Sequence, residues 1–145
     1  MKITIKVKDI PLYIALGVSV ISTFGSLYFS EISGFVPCTL CWYQRVCMYP
    51  LIVILGIGIY EKKENIYKYV LPFSILGLCV SVYHNLIQYG VIPEDGLVCN
   101  IIGSCTQRYV NLYGFITIPL LALVAFILIN VCLLVYVIKQ NKNIQ

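Results

Sequence analysis

Four long stretches of this sequence carry no charged side chain: Ile10 to Ser30, Val46 to Tyr60, Tyr69 to Pro93 with only the titratable His84, and Tyr109 to Ile138. A transmembrane helix needs about 20 mostly apolar residues to cross a hydrocarbon core about 30 Å thick. The first, third and fourth stretches reach that length unaided. Val46 to Tyr60 rises only about 22 Å as a helix, so to span it must extend back to Cys41. Arg45 then lies inside the helix, about 6 Å from its start, beside Trp42 and Tyr43, which suit the membrane interface. Composition points the same way. The chain is 60% hydrophobic and 11% charged, where a soluble domain carries about 25% charged residues. A soluble globular domain and a disordered tail are excluded. A scattered net charge of +4 also gives no grip on a nucleic-acid backbone.

The expected fold is an all-α integral membrane protein, a single antiparallel four-helix transmembrane bundle with membrane lipid as its solvent. Its helices fall at about 11–29, 41–60, 69–89 and 113–138, with outer loops at 30–40 and 90–112. Pro50, Pro72 and Pro119 lie within spans, where neighbouring groups can take up the freed carbonyls. With four spans both termini share a side. That side holds Lys2, Lys6, Lys8, Lys62, Lys63, Lys68, Lys139 and Lys142, against Arg45 and Arg108 on the other. The positive-inside rule therefore places both termini in the cytoplasm. The first hydrophobic stretch is long and no small-residue cleavage site closes it, so it reads as a signal anchor.

Of seven cysteines, Cys47, Cys79 and Cys132 fall within spans and read as small hydrophobes. Cys38, Cys41, Cys99 and Cys105 fall on the outer side, where disulfides persist and where a water-borne partner reaches the loop pair. Cys38-Thr39-Leu40-Cys41 is a C-x-x-C motif at the start of the second helix. Its ring is too small to hold distant segments together, and the spacing is that of exchangeable redox disulfides. Helix N-termini favour thiolates, and Arg45, four residues past Cys41, shares its helical face. Two inert bridges, or one zinc bound by four thiolates, are the other readings. The five residues between Cys99 and Cys105 fit zinc knuckles poorly, and no metal is expected.

Arg45 is either a side chain snorkelling to the interface or an intramembrane charge that binds an anion or a polarised carbonyl. His84 lies about 22 Å up the third helix, with Gln88 one turn further on. It is either hydrogen-bonded within the bundle or placed with Arg45 beside a polar-headed ligand in the membrane. Glu94 and Asp95 read as loop solvation.

The run Cys38-Thr39-Leu40-Cys41-Trp42-Tyr43-Gln44-Arg45 resembles the C-x-L-C-x-x-Q-R signature of the DsbB/BdbC disulfide bond formation family. The resemblance covers nearly the whole chain: four spans, the motif opening the second, a His in the third, a cysteine pair in the second outer loop, and Tyr113-Gly114-Phe115-Ile116-Thr117-Ile118-Pro119 at the fourth helix. The short spacing of Cys99 and Cys105 is similar to the BdbC-type branch. The resemblance implies a thiol–quinone oxidoreductase of the bacterial cell membrane, with its redox cysteines on the extracytoplasmic side. It would reoxidise an extracytoplasmic thioredoxin-fold dithiol oxidase of DsbA/BdbD type and pass electrons to a quinone, menaquinone or ubiquinone. By the same resemblance the partner's thiolate attacks Cys99, Cys105 completes that pair, and electrons move on to Cys38–Cys41. Cys41 then faces the quinone, with Arg45, His84 and Gln44 around it. A vitamin K epoxide reductase-like enzyme is the alternative, although its C-x-x-C follows the loop pair in the chain. A non-enzymatic scaffold or metal-binding protein is a further one.

Overall fold

The computed structural model describes residues 9–63, 65–93, 99, 105 and 117–142. It contains four long helices: α1 Ile10–Leu27, α2 Thr39–Tyr60, α3 Tyr67–Gln88 and α4 Ile118–Lys142. All four are long and apolar enough to cross a membrane. α1 packs on α2 and α4, and α3 packs on the same two. The helices thus form a closed ring with antiparallel neighbours, and both ends of the described chain lie at one end of the bundle.

The helix ends follow from local chemistry. Pro11 sits in the first turn of α1, where a missing N–H costs nothing. Pro119 is the second residue of α4, so it opens that helix rather than interrupting it as the sequence reading had it. Pro50 and Pro72 are interior. α1 runs on into a π-helical turn, Tyr28–Ile32, in which the Ser33 N–H donates to the Tyr28 carbonyl at 3.1 Å. Gly34, at φ +69°, then reverses the chain, and Phe35 stacks on Phe29 at 6.2 Å. α2 and α3 both end in Schellman motifs. Lys63 N–H donates to the Gly58 carbonyl and Lys62 N–H to Ile59, while Val91 and Gly90 repeat the pattern on Leu86 and Ile87. The left-handed position is Gly90 in one (φ 75°) and Lys62 in the other (φ 52°).

The core fills the half of the bundle nearer the termini. Leu12 and Ala15 of α1, Leu51 and Leu55 of α2, Val70 of α3, and Phe126, Ile129 and Leu133 of α4 are buried there. Gly77 lets α3 close on α4, because a Cβ at that position would run into the Phe126 ring. Asn130 Nδ2 also reaches across, to the Ser74 carbonyl at 3.3 Å. Large apolar side chains such as Ile21, Phe24, Val53 and Leu134 face outward. That would be costly in water and is the expected surface in lipid. A second, smaller apolar cluster at the other end of the bundle gathers Cys38, Leu40, Ile87, Cys99 and Cys105.

Several sequence expectations fall outside the described residues: Lys2, Lys6, Lys8, Glu94, Asp95, Arg108 and the stretch Tyr113 to Ile116.

Candidate active site

α2 opens at Thr39, two residues before the Cys41 start expected from sequence, because Cys38 is its N-cap. Cys38 has extended backbone (φ −69°, ψ 169°), and its Sγ accepts the Cys41 N–H at 3.4 Å. A sulfur thus stands where Ser, Thr, Asp or Asn usually satisfies the first free amides of a helix. The earlier start puts Arg45 about 9 Å along the helix axis, further from the helix start than the sequence reading placed it.

The two sulfurs of the C-x-x-C lie 3.1 Å apart as free thiols. His84 of α3, fully buried, brings Nε2 to 3.6 Å from Cys38 Sγ. Its Nδ1 faces the Gln44 side-chain amide nitrogen at 3.4 Å. With that N–H₂ donating to Nδ1, the imidazole proton sits on Nε2 and points at the Cys38 sulfur. Cys38 is held far below the ordinary thiol value of 9.0, at about 4. The hydrogen bond with the Cys41 thiol contributes most, and the hydrogen bond with the His84 imidazole adds to it, against the opposing effect of burial.

Cys99 and Cys105 are joined as a disulfide, with Cα atoms 5.4 Å apart. Cys38 Sγ, a ring nitrogen of His84 and Cys105 Sγ all lie within 4.8 Å of one another. The two cysteine pairs therefore meet, although they are distant in sequence. Contrary to the expectation that the loop pair is open to a water-borne partner, Cys99 is 0% and Cys105 2% exposed. The disulfide packs into the apolar cluster with Leu40 and Ile87, which shields it.

Arg45 does not snorkel. It is 8% exposed, and its Nε and Nη2 donate to Ser26 Oγ at 2.8 Å and to the Ser26 carbonyl at 2.9 Å. Its guanidinium also lies over the Trp42 ring, 5.4 Å from the centroid. Among the described residues, the polar groups directly on the sulfur pair are His84 and the helix amide, while Arg45 is anchored to α1. Both Arg45 and His84 line one cavity of about 330 Å³, within reach of ordinary small-molecule sites. Cys38, Cys41, Cys105, Gln44 and Gln88 share its wall, and Phe29, Phe35, Ile118, Leu121 and Phe126 supply apolar surface.

Sequence reasoning did not single out Ser26 or Asn85, and it named Thr117 only within the stretch at the fourth helix. Thr117 Oγ1 donates to Gln88 Oε1 at 2.8 Å, and Asn85 Nδ2 donates to the Pro119 carbonyl at 3.0 Å. Together they fasten the start of α4 to α3 beside the cavity. Asn85 had a legible signal, an amide in a membrane span next to a histidine, whereas Ser26 looks like any small helical residue. Cys47 and Cys132 are free thiols packed against the main core, and Cys79 is exposed on the bundle surface.

Residues 8–136 match the family described as "Disulfide bond formation protein DsbB". The chain is 50% identical over 126 residues to "Disulfide bond formation protein C" of Bacillus subtilis, covering 85% of this chain and 91% of that protein. It is 46% identical over 138 residues to "Probable disulfide formation protein C 1" of Bacillus anthracis, covering 94% and 97%. With "Probable disulfide formation protein C" of Halalkalibacterium halodurans it shares 46% over 114 residues, covering 78% and 82%. No solved structure matches the chain.

Proposed function

The chain belongs to the DsbB family of disulfide bond formation proteins and is a bacterial membrane disulfide-generating oxidoreductase; from that premise we propose that it takes electrons from an extracytoplasmic thioredoxin-fold thiol oxidase and delivers them to a membrane quinone in the cavity beside Cys41. The observation that carries this reading is the meeting of Cys38, His84 and Cys105 within 4.8 Å at the wall of a cavity that Arg45 also lines. Two redox pairs in contact, one of them facing a lipid-level site, make an electron path. The positive-inside rule, applied to the eight lysines that the sequence puts on the side of the termini, supports the reading that the site end of the bundle faces away from the cytoplasm.

The cavity fits a quinone. It offers apolar walls for a ring and tail, with one cationic and several hydrogen-bonding side chains on one side. When bound there, the quinone supplies a two-electron, two-proton acceptor. The protein's own steps are thiol–disulfide exchanges. The reduced partner's thiolate attacks Cys99, forming a mixed disulfide and releasing Cys105 as a thiolate. Because Cys99 is shielded, docking of the partner must first displace its cover. The second partner thiol then resolves the mixed disulfide and frees Cys99. The Cys105 thiolate attacks Cys38 of an oxidised Cys38–Cys41 pair, and Cys41 leaves as a thiolate into the cavity. His84 directs its Nε2 proton to the Cys38 sulfur, and Gln44 holds the imidazole in that tautomer. Arg45, fixed by Ser26, keeps a positive charge on the cavity wall where negative charge develops. The Cys99 thiolate then attacks Cys105 of the Cys105–Cys38 disulfide, which restores Cys99–Cys105 and frees Cys38 as a thiolate beside Cys41. A quinone held in the cavity would accept the electron pair of the Cys38–Cys41 dithiol through Cys41, closing that disulfide, and the partner's two thiol protons would balance the two that the acceptor takes up.

The test is quinone reduction by the purified protein in detergent, with a reduced thioredoxin-fold dithiol as donor. Cys41→Ser is expected to abolish turnover, as is Cys99→Ser. Full turnover in Cys41→Ser overturns its role as last donor. Full turnover in Cys99→Ser places the attack elsewhere. The order of the cysteine pairs in the chain, C-x-x-C first, separates this protein from the vitamin K epoxide reductase-like alternative.

A further inference from the structure

Cys38, His84 and Cys105 bring two sulfurs and an imidazole nitrogen together in a buried cluster, each donor within 4.8 Å of the others. Around a tetrahedral zinc ion, with Zn–S near 2.3 Å and Zn–N near 2.0 Å, such donors stand about 3.5–3.8 Å apart. Cys38 Sγ and His84 Nε2 are already at 3.6 Å, so closing the set needs a movement of about 1 Å. All three side chains line the cavity, which supplies an entry path and a fourth position. One condition fails in this structure: Cys105 is bonded to Cys99, and a disulfide sulfur is a poor ligand. The site is therefore latent and completed only by reduction.

We propose that, once Cys99–Cys105 and Cys38–Cys41 are both reduced, Cys38, His84 and Cys105 bind one zinc-like divalent cation and lock the protein in its fully reduced form. Binding forms two metal–thiolate bonds and one metal–imidazole bond, and the thiol protons leave to solvent. No oxidation state changes. The reduced form accumulates when dithiol donors outrun the electron acceptor, so the bound ion holds the C-x-x-C out of exchange under that condition. This two-cysteine, one-histidine set differs from the four-thiolate knuckle that the sequence spacing disfavoured. It rests on the cluster geometry and does not require the quinone reading.

The experiment uses the full-length protein in detergent, reduced with a phosphine, and cobalt(II) as the spectroscopic probe. The reduced wild type is expected to bind one equivalent with tetrahedral bands and a thiolate-to-cobalt charge-transfer band, which zinc displaces. The oxidised wild type shows neither. Cys105→Ser loses about half the charge-transfer intensity, one of two thiolates, and His84→Ala binds at least tenfold more weakly (about the smallest loss expected for a metal-site partner). Cys79→Ser, a thiol on the bundle surface, leaves the spectrum unchanged. The same band in oxidised protein, no band in reduced protein, or a spectrum indifferent to both Cys105→Ser and His84→Ala overturns the proposal. The comparison of reduced with oxidised wild type needs no variant, so a misfolded mutant does not protect the idea. Quinone turnover measured on the same preparation separates a failure of this proposal from a failure of the electron path.

Discussion

Replacing His84 by alanine tests the chemistry of the C-x-x-C most directly. In the structure, Cys38 Sγ accepts the Cys41 N–H, shares a hydrogen bond with the Cys41 thiol and meets His84 Nε2 at 3.6 Å. Together they hold its thiol at about 4 despite burial. A hydrogen bond to a charged group contributes about 1.5–3 kcal/mol, and one pKa unit corresponds to about 1.4 kcal/mol. Removing the imidazole is therefore expected to raise the Cys38 value by about 1–2 units. Cys41→Ala, which removes the larger influence, raises it further. Thiolate absorbance in the ultraviolet, followed against pH on reduced protein in which Cys99 and Cys105 are replaced and Cys41, except in Cys41→Ala itself, is kept, reads this directly, and the pH profile of alkylation confirms which sulfur titrates. The sign has a second consequence. The folded value lies below the ordinary 9.0, so the thiolate stabilises the reduced fold fully above pH 9. That contribution fades as pH falls and is gone below about 4. A stabilised thiolate also favours the reduced pair and makes Cys38–Cys41 more oxidising, as reoxidising a thiol oxidase requires. An unmoved titration in His84→Ala, or a larger shift there than in Cys41→Ala, refutes the reasoning.

Three further outcomes are expected. Ser26→Ala removes the Oγ acceptor of Arg45 Nε but leaves the carbonyl contact, so the KM for quinone rises roughly tenfold, the low end for a hydrogen bond to a charged group, with little change in kcat, and Ser26→Thr restores it; an unchanged KM shows that Arg45 needs no such anchor. Gly77→Ala forces a Cβ against the Phe126 ring and lowers stability by about 1–3 kcal/mol, seen as a lower Tm in detergent, whereas an unaltered Tm means that α3 and α4 are less tightly joined than described. Lys62→Gly relieves a left-handed residue at the end of α2 and raises stability by about 1 kcal/mol; a drop in Tm identifies a role for the lysine side chain that outweighs the backbone strain.

The sequence by itself determined the number of spans, the membrane as solvent, and the placing of Cys38 and Cys41 at a helix start. These are local properties: uninterrupted apolar length sets a span, and two cysteines three residues apart stay neighbours however the rest folds. Gln44, Arg45 and His84 were legible as candidates because a polar or charged side chain within a span must be compensated. What compensates each of them was not legible. Arg45 is held by Ser26, 19 residues earlier, and His84 is poised between Gln44 and Cys38, 40 and 46 residues away. Such partners depend on how α1, α2 and α3 are rotated about their axes, which the packing of whole helices decides. The accessibility expected of Cys99 and Cys105 failed for the same reason. A loop cysteine is exposed only if nothing packs on it, and here Leu40 and Ile87 come from two helices to cover the disulfide. Tertiary structure alone brought Cys105 to Cys38, because a contact between residues so far apart in the chain exists only once the bundle has closed.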